Sequence, residues 1–363
     1  MRHFHAPGRV NLIGDHIDYM GGTVLPMAID RGTDVWVRVR DDRALVASSV
    51  NFPQVGQVVA DIDATEPVEQ WNWANYLVAV AAAFRARGVE VPGVDVRVQG
   101  NIPNGAGLSS SASLEMAMAV AFNSLTGAGL SVAELALVGQ AAENDFIGVA
   151  CGIMDQLAIA AGVEGHALAI DCASLQVTPI PFPQGVAVVV ANTNQRRELA
   201  DSGYNQRRAA CERAQAELGR PLVEIPADDL EETLSALPQE LRAPARHVIT
   251  EQARVYEFAT ALQRQDLDAM GRIMRASHES LRDDFGVTGP ALDAMAAAAW
   301  DAPGVIGARM TGAGFGGCTV NLVEPQAVAA FTDHVGRRYT AQTGRTAQFY
   351  SVASADGARE VTR

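Results

Sequence analysis

The chain has 363 residues, 48% of them hydrophobic, so it can bury a substantial core and is expected to form two domains. Its formal net charge of −14 argues against sequence-independent binding of nucleic acid or anionic lipid, because both need a surplus of basic side chains. All 28 basic residues are arginines, which excludes P-loop nucleotidases, protein kinases and pyridoxal enzymes, since each needs an active-site lysine. We expect a globular protein with small-molecule partners, in which any phosphate group is held by backbone N–H groups, arginine and a metal ion.

The N-terminal residues and the cysteines predict a cytoplasmic protein. Residues 1–10 lack the long apolar core of a signal peptide, and no apolar run reaches the length of a membrane span. The four cysteines, Cys151, Cys172, Cys211 and Cys318, are far apart and form no CxxC pair. This spacing indicates neither a zinc site nor a disulfide framework, so we expect reduced thiols in the core.

The first candidate functional segment is GRVNLIGDHIDYMGG, residues 8–22. It places Arg9, Asp15, His16 and Asp18 between a short apolar run and two glycines. So much charge on one short turn predicts either a ligand site or a buried ion-pair cluster with Arg9.

Hydrophobic periodicity further along the chain predicts layers of strands and helices. The alternating segments VWVRVR (35–40) and VDVRVQ (94–99) predict half-exposed antiparallel strands, and the apolar run at 186–193 predicts a buried strand. Helical patterns occur at 74–86, 111–125, 131–145, 205–218, 228–236 and 245–263. The irregular alternation favours an α+β fold over regular βαβ winding.

A proline-marked segment, TPIPFPQ at residues 178–184, is the predicted change of domain. We place an N-terminal domain at residues 1–182 and a C-terminal domain at residues 183–363.

A glycine-rich loop, Gly105 to Gly107, leads through three serines into an apolar helix that has no breaker before Gly127. The serines are suited to cap this helix, and its free N–H groups and positive dipole end favour an anion. The loop therefore predicts a phosphate site without lysine; an ordinary capped turn is the alternative.

A second glycine cluster, TGAGFGGCTVNLV at 311–323, contains the spacing GxGxxG. That dinucleotide fingerprint must open a helix, whereas CTVNLV is β-branched and predicts a strand, which argues against a Rossmann dehydrogenase. The cluster is then either a loop that brings backbone close to a ligand or a tight turn between strands.

Together these motifs resemble the galactokinase family. Residues 8–22 resemble its signature, and the two glycine clusters resemble the second and third motifs of the superfamily of galactokinase, homoserine kinase, mevalonate kinase and phosphomevalonate kinase. Further similar segments are CGIMDQLAIAAG (151–162), WANY (73–76) and LADSGYNQRRAAC (199–211). The resemblance covers essentially the whole chain, and it implies a two-domain α+β kinase fold with the active site in the cleft between the domains.

The resemblance implies that Asp155 lies beside the anomeric hydroxyl of a sugar, as general base or orienting acceptor, with Arg9 next to it. A guanidinium there keeps the carboxylate ionised and stabilises the transferring phosphoryl group. A hexose presents hydroxyls in every direction, so holding one needs several short acceptors on one rigid turn. By resemblance these sugar-binding groups are Asp15, His16, Asp18, the backbone at Gly152 and the phenol of Tyr204.

The resemblance also implies ATP as co-substrate and Mg²⁺ as metal. Ser111 and Glu143 are the implied metal ligands, together with phosphate oxygens and water, and oxygen donors suit a small hard cation. Glu143 as a solvated helix residue is the alternative. Trp73 is the implied wall of the adenine site, or else a core residue. The residues implied to bind ATP are Gly105, Gly107, Leu108, Ser109, Ser110, Ser111 and Ala112.

Three residues depart from the family pattern. Galactokinases usually read GEHTDY, whereas this chain has Asp15 and Ile17, and the shorter Asp15 loses about 1.5 Å of reach. Gly203 stands where glutamate is common. Ile17 favours an N-acetylgalactosamine kinase, whereas Tyr204 favours a galactokinase.

We therefore predict an ATP-dependent galactose 1-kinase, monomeric or weakly dimeric. The alternatives are a kinase for N-acetylgalactosamine or another sugar, and a non-catalytic sugar and ATP sensor of the same fold. Such sensors lose part of the serine-alanine string or the catalytic pair, and both are intact here. Kinases of mevalonate or homoserine lack the HxDY segment.

Overall fold

The computed structural model describes residues 1–103, 107–195 and 200–362, without the side chains of 200–202. Its strands are β1 Arg2–Asn11, β2 Thr23–Val24, β3 Pro26–Val39, β4 Ala44–Ser49, β5 Val58–Asp61, β6 Val94–Gly100, β7 His166–Asp171, β8 Gln176–Pro181, β9 Ala187–Asn192, β10 Val305–Thr311, β11 Cys318–Val323, β12 Gln348–Val352 and β13 Arg359–Glu360. Its α-helices are α1 Asn75–Ala86, α2 Ser110–Thr126, α3 Val132–Ala141, α4 Met154–Ala161, α5 Ala200–Leu218, α6 Leu230–Ala236, α7 Gln239–Arg264, α8 Leu267–Asp283, α9 Pro290–Trp300 and α10 Val328–Thr343.

The largest sheet has the strand order β13-β1-β3-β6-β4-β5. Its strands β3 and β6 are antiparallel, with Val35 opposite Val98, which confirms the pairing predicted from their alternating patterns. Inward-facing residues of this sheet, such as Phe4, pack with Phe84 of α1 and Phe122 of α2. Helix α2 packs on β1 and β3, and the N–H of Arg9 in β1 donates to the carbonyl of Leu108, just before the start of α2, at 3.3 Å.

A second sheet has the order β10-β11-β9-β12, and a third has the order β2-β7-β8. The predicted buried strand at 186–193 is β9, and CTVNLV is β11, as expected. Helices α9 and α10 cover one face of the second sheet through Met295, Phe331 and Tyr339. The mixture of antiparallel sheets and covering helices confirms the predicted α+β fold.

One apolar cluster joins the N-terminal and C-terminal halves of the chain. Leu12 and Ile13 of the signature segment pack in the same cluster as Val255 and Phe258 of α7 and Met310 of β10. The chain ends also meet, because β13 pairs with β1. Strand β8 occupies the first half of the proline-marked segment, and the domain boundary after residue 182 stays a prediction.

Within the described ranges, no helix combines the length and the apolar character needed to cross a bilayer. Cys172, Cys211 and Cys318 are buried thiols, as expected. Cys151 is half-buried and borders a cavity, so its predicted place in the core was wrong.

Candidate active site

A cavity of about 690 Å³ is lined by residues of both predicted domains, that is, by residues before and after position 182. It gathers most of the predicted site: Arg9, Asp15, His16, Asp18, Gly107, Ser109, Ser110, Ser111, Glu143, Gly152, Asp155 and Tyr204. Leu108 and Ala112 are buried in the core and do not line it, and Gly105 lies outside the described residues. The signature segment (residues 8–22), the serines at the start of α2 (Ser109–Ser111) and the segment around Asp155 therefore form one site.

Arg9 and Asp155 line this cavity and form a bidentate ion pair. Arg9 Nε and Nη2 each donate to one carboxylate oxygen at 2.7 Å, and Nη1 donates to the carbonyl of Gly107 at 2.6 Å. The Arg9 side chain is 6% exposed, whereas that of Asp155 is 29% exposed. The rigid guanidinium fork fixes the carboxylate in one orientation while leaving it accessible from the cavity.

The start of α2 differs from the predicted serine cap. Ser109 is the N-cap residue, but it has φ +59° and ψ +52°, and its side chain makes no capping hydrogen bond. A side-chain cap needs extended backbone at that position, so the left-handed conformation turns the hydroxyl away. The Ser109 hydroxyl donates instead to Asp155 Oδ2. The N-terminus of a 17-residue helix thus faces the cavity without a side-chain cap, which suits an anion.

Glu143 lies on a π-helix, Ala142–Ile147, which continues α3 where a single α-helix was predicted. Such π-turns widen a helix locally and are frequent at functional sites. Glu143 is 8% exposed, and the Ser111 side chain hydrogen-bonds to its carboxylate. Burial raises the pKa of Glu143, and the negative charge of Asp155 raises it further. The two predicted metal ligands are therefore in contact, at a place where acidic groups converge.

This donor set fits a hard cation that also binds phosphate. No group of three or more histidine, cysteine, aspartate or glutamate residues is arranged to hold a metal within the part of the chain that the structure describes. Ser111 and Glu143 supply oxygen alone, so most ligands would come from phosphate and water, as Mg²⁺ prefers.

Asp15 lines the cavity but is largely buried and paired within the protein, and its predicted contact with a sugar stays a prediction. Its carboxylate is 2% exposed and forms an ion pair with Arg309, Oδ2 to Nη2 at 2.6 Å. Its Oδ1 accepts from Asn11 Nδ2 at 2.9 Å and from the N–H of Gly312 at 3.1 Å. For Asp15 the alternative of an ion pair with Arg9 is wrong, since Arg309 is the partner and Arg9 pairs with Asp155. Burial raises the pKa of Asp15, although Arg309 opposes that rise.

His16 connects the signature segment to the third motif. One ring nitrogen, Nε2, donates to the carbonyl of Ala313 at 3.1 Å, and the Tyr19 hydroxyl lies 3.2 Å from Nδ1. Burial lowers the pKa of His16 to about 3, so the ring is neutral. Its ring also packs against Tyr204, with centroids 5.4 Å apart. Both nitrogens have protein partners, and direct contact of His16 with a sugar stays a prediction.

Asp18 lies directly against Gly152. A Cβ atom at position 152 would stand 1.9 Å from Asp18 Oδ2, so only glycine leaves room for this carboxylate. Burial and the nearby charge of Asp155 raise the pKa of Asp18 to about 6. Asp18 is thus an acceptor whose charge changes near neutral pH.

The unusual Gly203 is explained by Phe315 of the third motif. A Cβ atom at position 203 would lie 2.5 Å from Cζ of Phe315, so the aromatic ring takes the space of a side chain. The third motif itself joins β10 to β11, which fits the predicted turn between strands. Its residues Gly312 and Ala313 also line the cavity.

Trp73 lines a second cavity of about 200 Å³, which shares Ser110 and Ser111 with the first. The side chain is 8% exposed, and its indole Nε1 has no hydrogen-bond partner among the described residues. A buried donor of this kind is costly unless a ligand supplies an acceptor.

Asn11 and Arg309, the two side chains that bind Asp15, were not predicted from the sequence. The only signal for Arg309 is its position two residues before the third motif, and its pairing with Asp15 depends on tertiary structure.

Family models match three parts of the chain. The galactokinase galactose-binding signature matches residues 2–39, the N-terminal domain of GHMP kinases matches residues 75–163, and the GHMP kinase C-terminal model matches residues 258–341.

Relatives match over nearly the whole chain. A galactokinase of Clostridium beijerinckii is 43% identical over 99% of this chain and 94% of its own length. One from Chloroflexus aggregans is 47% identical over 94% and 89%. The crystal structure of Lactococcus lactis galactokinase complexed with galactose has a TM-score of 0.96 and 37% identity, covering 99% of this chain and 95% of that one. These matches confirm the resemblance: the chain belongs to the galactokinase family.

Proposed function

We propose that the protein transfers the terminal phosphoryl group of ATP to the anomeric hydroxyl of galactose, giving galactose 1-phosphate. The observation that carries this proposal is the Arg9–Asp155 pair, which lies between the sugar-signature segment and the uncapped start of α2. The pair places an accessible carboxylate beside a fixed positive charge, as phosphoryl transfer to a hydroxyl requires.

In this mechanism Asp155 accepts the hydrogen bond of the reacting hydroxyl and takes its proton as the oxygen attacks phosphorus. Arg9 keeps Asp155 ionised and contributes positive charge close to the transferring group. Free N–H groups at the start of α2 bind phosphate oxygens. Ser111 and Glu143 would hold Mg²⁺, which neutralises phosphate charge when it is bound.

Sugar recognition is assigned to Asp18, the backbone at Gly152 and Tyr204, which line the cavity. Asp15 supports these groups, because one of its carboxylate oxygens is already paired with Arg309. The cavity beside Trp73 is the proposed adenine site, since its lining is mostly apolar and it adjoins the serine loop.

A coupled assay of ADP release over hexoses, pentoses and N-acetylgalactosamine tests this function. We expect galactose to give the highest kcat/KM. Higher kcat/KM with N-acetylgalactosamine would reassign the substrate, and binding of galactose and ATP without ADP release would indicate a sensor. The cytoplasmic location and the monomeric or weakly dimeric state stay predictions.

A further inference from the structure

Helix α7 presents a row of buried polar side chains to the sugar-signature segment. His247 and Glu251 are fully buried, and Gln252 is 4% exposed. A polar group in such a place must be hydrogen-bonded, because burial without a partner is costly. His247 and Glu251 lie one turn apart on the helix, and Gln252 directly follows Glu251.

Each of these side chains binds backbone of the signature segment or of Thr23, the residue that follows it. His247 Nε2 donates to the carbonyl of Asp15 at 3.2 Å, and Glu251 Oε1 accepts from the N–H of Gly14 at 3.0 Å. Gln252 Oε1 accepts from the N–H of Thr23 at 2.8 Å. Helix α7 therefore fixes both ends of the turn that carries Asp15, His16 and Asp18.

Glu251 is the charged centre of this row. Its Oε1 also accepts from the Ser277 hydroxyl at 2.6 Å, and its Oε2 accepts from Arg254 Nε at 2.7 Å. Burial alone would raise the pKa of Glu251, but Arg254 and Arg309 hold it at about 2, so the residue remains an anion.

Arg309 connects this anion to Asp15. Its Nη2 lies 3.9 Å from Glu251 Oε1 and 2.6 Å from Asp15 Oδ2, and its Nη1 donates to the carbonyl of Leu12 at 3.2 Å. The guanidinium is fully buried, so its charge must be balanced by these two carboxylates. Loss of the Glu251 charge would leave Asp15 as its main counter-ion and draw that carboxylate toward Arg309.

We propose that Glu251 is a positioning residue for sugar binding, acting through Arg309 on Asp15 and through Gly14 on the backbone of the turn. The inference rests on the proposed function in that the ligand is a sugar. A purely structural role would make the same contacts, but it would affect stability without changing affinity for galactose in the folded protein.

The test measures the Kd for galactose by calorimetry and the KM values for galactose and ATP, with Tm as the check on folding. Glu251→Gln keeps an oxygen for the Gly14 N–H but removes the charge. We expect the Kd and KM for galactose to rise about tenfold or more, and the KM for ATP to change less than about threefold. Glu257→Gln, an exposed site on the same helix, is the matched control and should leave all three values unchanged.

Arg309 provides the second pair of variants. Arg309→Lys keeps a positive charge between the two carboxylates and should retain much of the galactose affinity that Arg309→Met loses. If Glu251→Gln does not fold, Ser277→Ala removes one hydrogen bond to Glu251 at unchanged charge and should still raise the Kd for galactose by about two- to fivefold.

The proposal is overturned if a folded Glu251→Gln or Ser277→Ala protein binds galactose as tightly as the wild type, or if Arg309→Lys is no better than Arg309→Met. Failure of the proposed function itself looks different, because the unmodified protein would then release no ADP with galactose, whether or not it binds the sugar.

Discussion

Two arginine–aspartate pairs each contribute a carboxylate to the lining of the same cavity, but they differ in how far that carboxylate is exposed. Arg9–Asp155 and Arg309–Asp15 have similar N···O distances, 2.7 and 2.6 Å, and both guanidiniums are buried. The carboxylates differ, since the Asp155 side chain is 29% exposed and that of Asp15 only 2%. An ion pair alone therefore does not mark a reactive group; exposure of the carboxylate to the cavity does.

The partners of the two pairs also differ. Arg9–Asp155 is tied to the serine loop through Gly107 and Ser109. Arg309–Asp15 is tied to the third motif through Gly312 and to α7 through Glu251. In the proposed function one pair belongs to the phosphate side of the cavity and the other supports the sugar side, so we expect perturbations of the two pairs to have separable effects.

Removal of the metal should have the largest effect of all these changes. We expect it to affect phosphoryl transfer but not galactose binding. EDTA is expected to abolish ADP release and excess Mg²⁺ to restore it, because the chain offers no lysine to neutralise phosphate. Galactose affinity should change less than about threefold, since the hydrogen bonds of Glu143 among the described residues go to Ser111, Cys151 and Gln156 rather than to a proposed sugar-binding side chain.

Glu143→Gln should reproduce the kinetic loss, whereas Asp145→Asn, exposed on the same π-helix, should not. Turnover that persists without any divalent metal would remove Mg²⁺ from the mechanism.

The pH dependence should be set by Asp18 on the sugar side. Because its pKa is raised to about 6, kcat/KM for galactose should fall about tenfold per unit below pH 6, as the acceptor becomes protonated. The variant Asp18→Asn should lack this change in slope. An acid limb that is identical in Asp18→Asn would assign the titration to another group.

The raised pKa of Asp18 also affects the free energy of unfolding. A carboxyl whose pKa is raised on folding stabilises the protein fully below its ordinary pKa, and this contribution is lost as the pH rises through about 6. In the absence of sugar, Asp18→Asn should therefore raise Tm relative to the wild type at pH 8 more than at pH 4.

Lengthening Asp15 should have the smallest effect. If a water fills the space left by the shorter side chain, Asp15→Glu should alter the KM for galactose by no more than about tenfold, which is about 1.4 kcal/mol. If a bulkier sugar substituent uses that space, the variant should lose N-acetylgalactosamine selectively and keep galactose. Measurement of kcat/KM for both sugars on both proteins distinguishes these outcomes, and turnover of neither sugar by the wild type would contradict the assignment.

Local patterns predicted much of the fold and one side of the site. The alternation at 35–40 and 94–99 depends only on neighbouring residues, and it identified β3 and β6 correctly. Arg9 and Asp155 each lie in a short segment that resembles a family motif, so their proximity followed from that resemblance.

The sugar side could not be predicted in the same way. Asp15 meets Gly312 across 297 residues, and its ion pair with Arg309 exists only once α7, β1 and β10 pack together. The left-handed Ser109 and the π-helix at Glu143 are departures from regular α-helical geometry, and a helical hydrophobic pattern does not distinguish them from a regular helix.

The most direct test measures kcat, the KM values for both substrates and the Kd for galactose on Asp155→Asn and Asp15→Ala side by side. We expect Asp155→Asn to lower kcat on the order of 10²-fold or more while galactose Kd stays within about threefold. Asp15→Ala should instead raise the KM for galactose far more than the KM for ATP, because its partners lose their acceptor. Near-normal kcat in Asp155→Asn, or unchanged galactose KM in Asp15→Ala, would contradict the division of tasks between the two pairs.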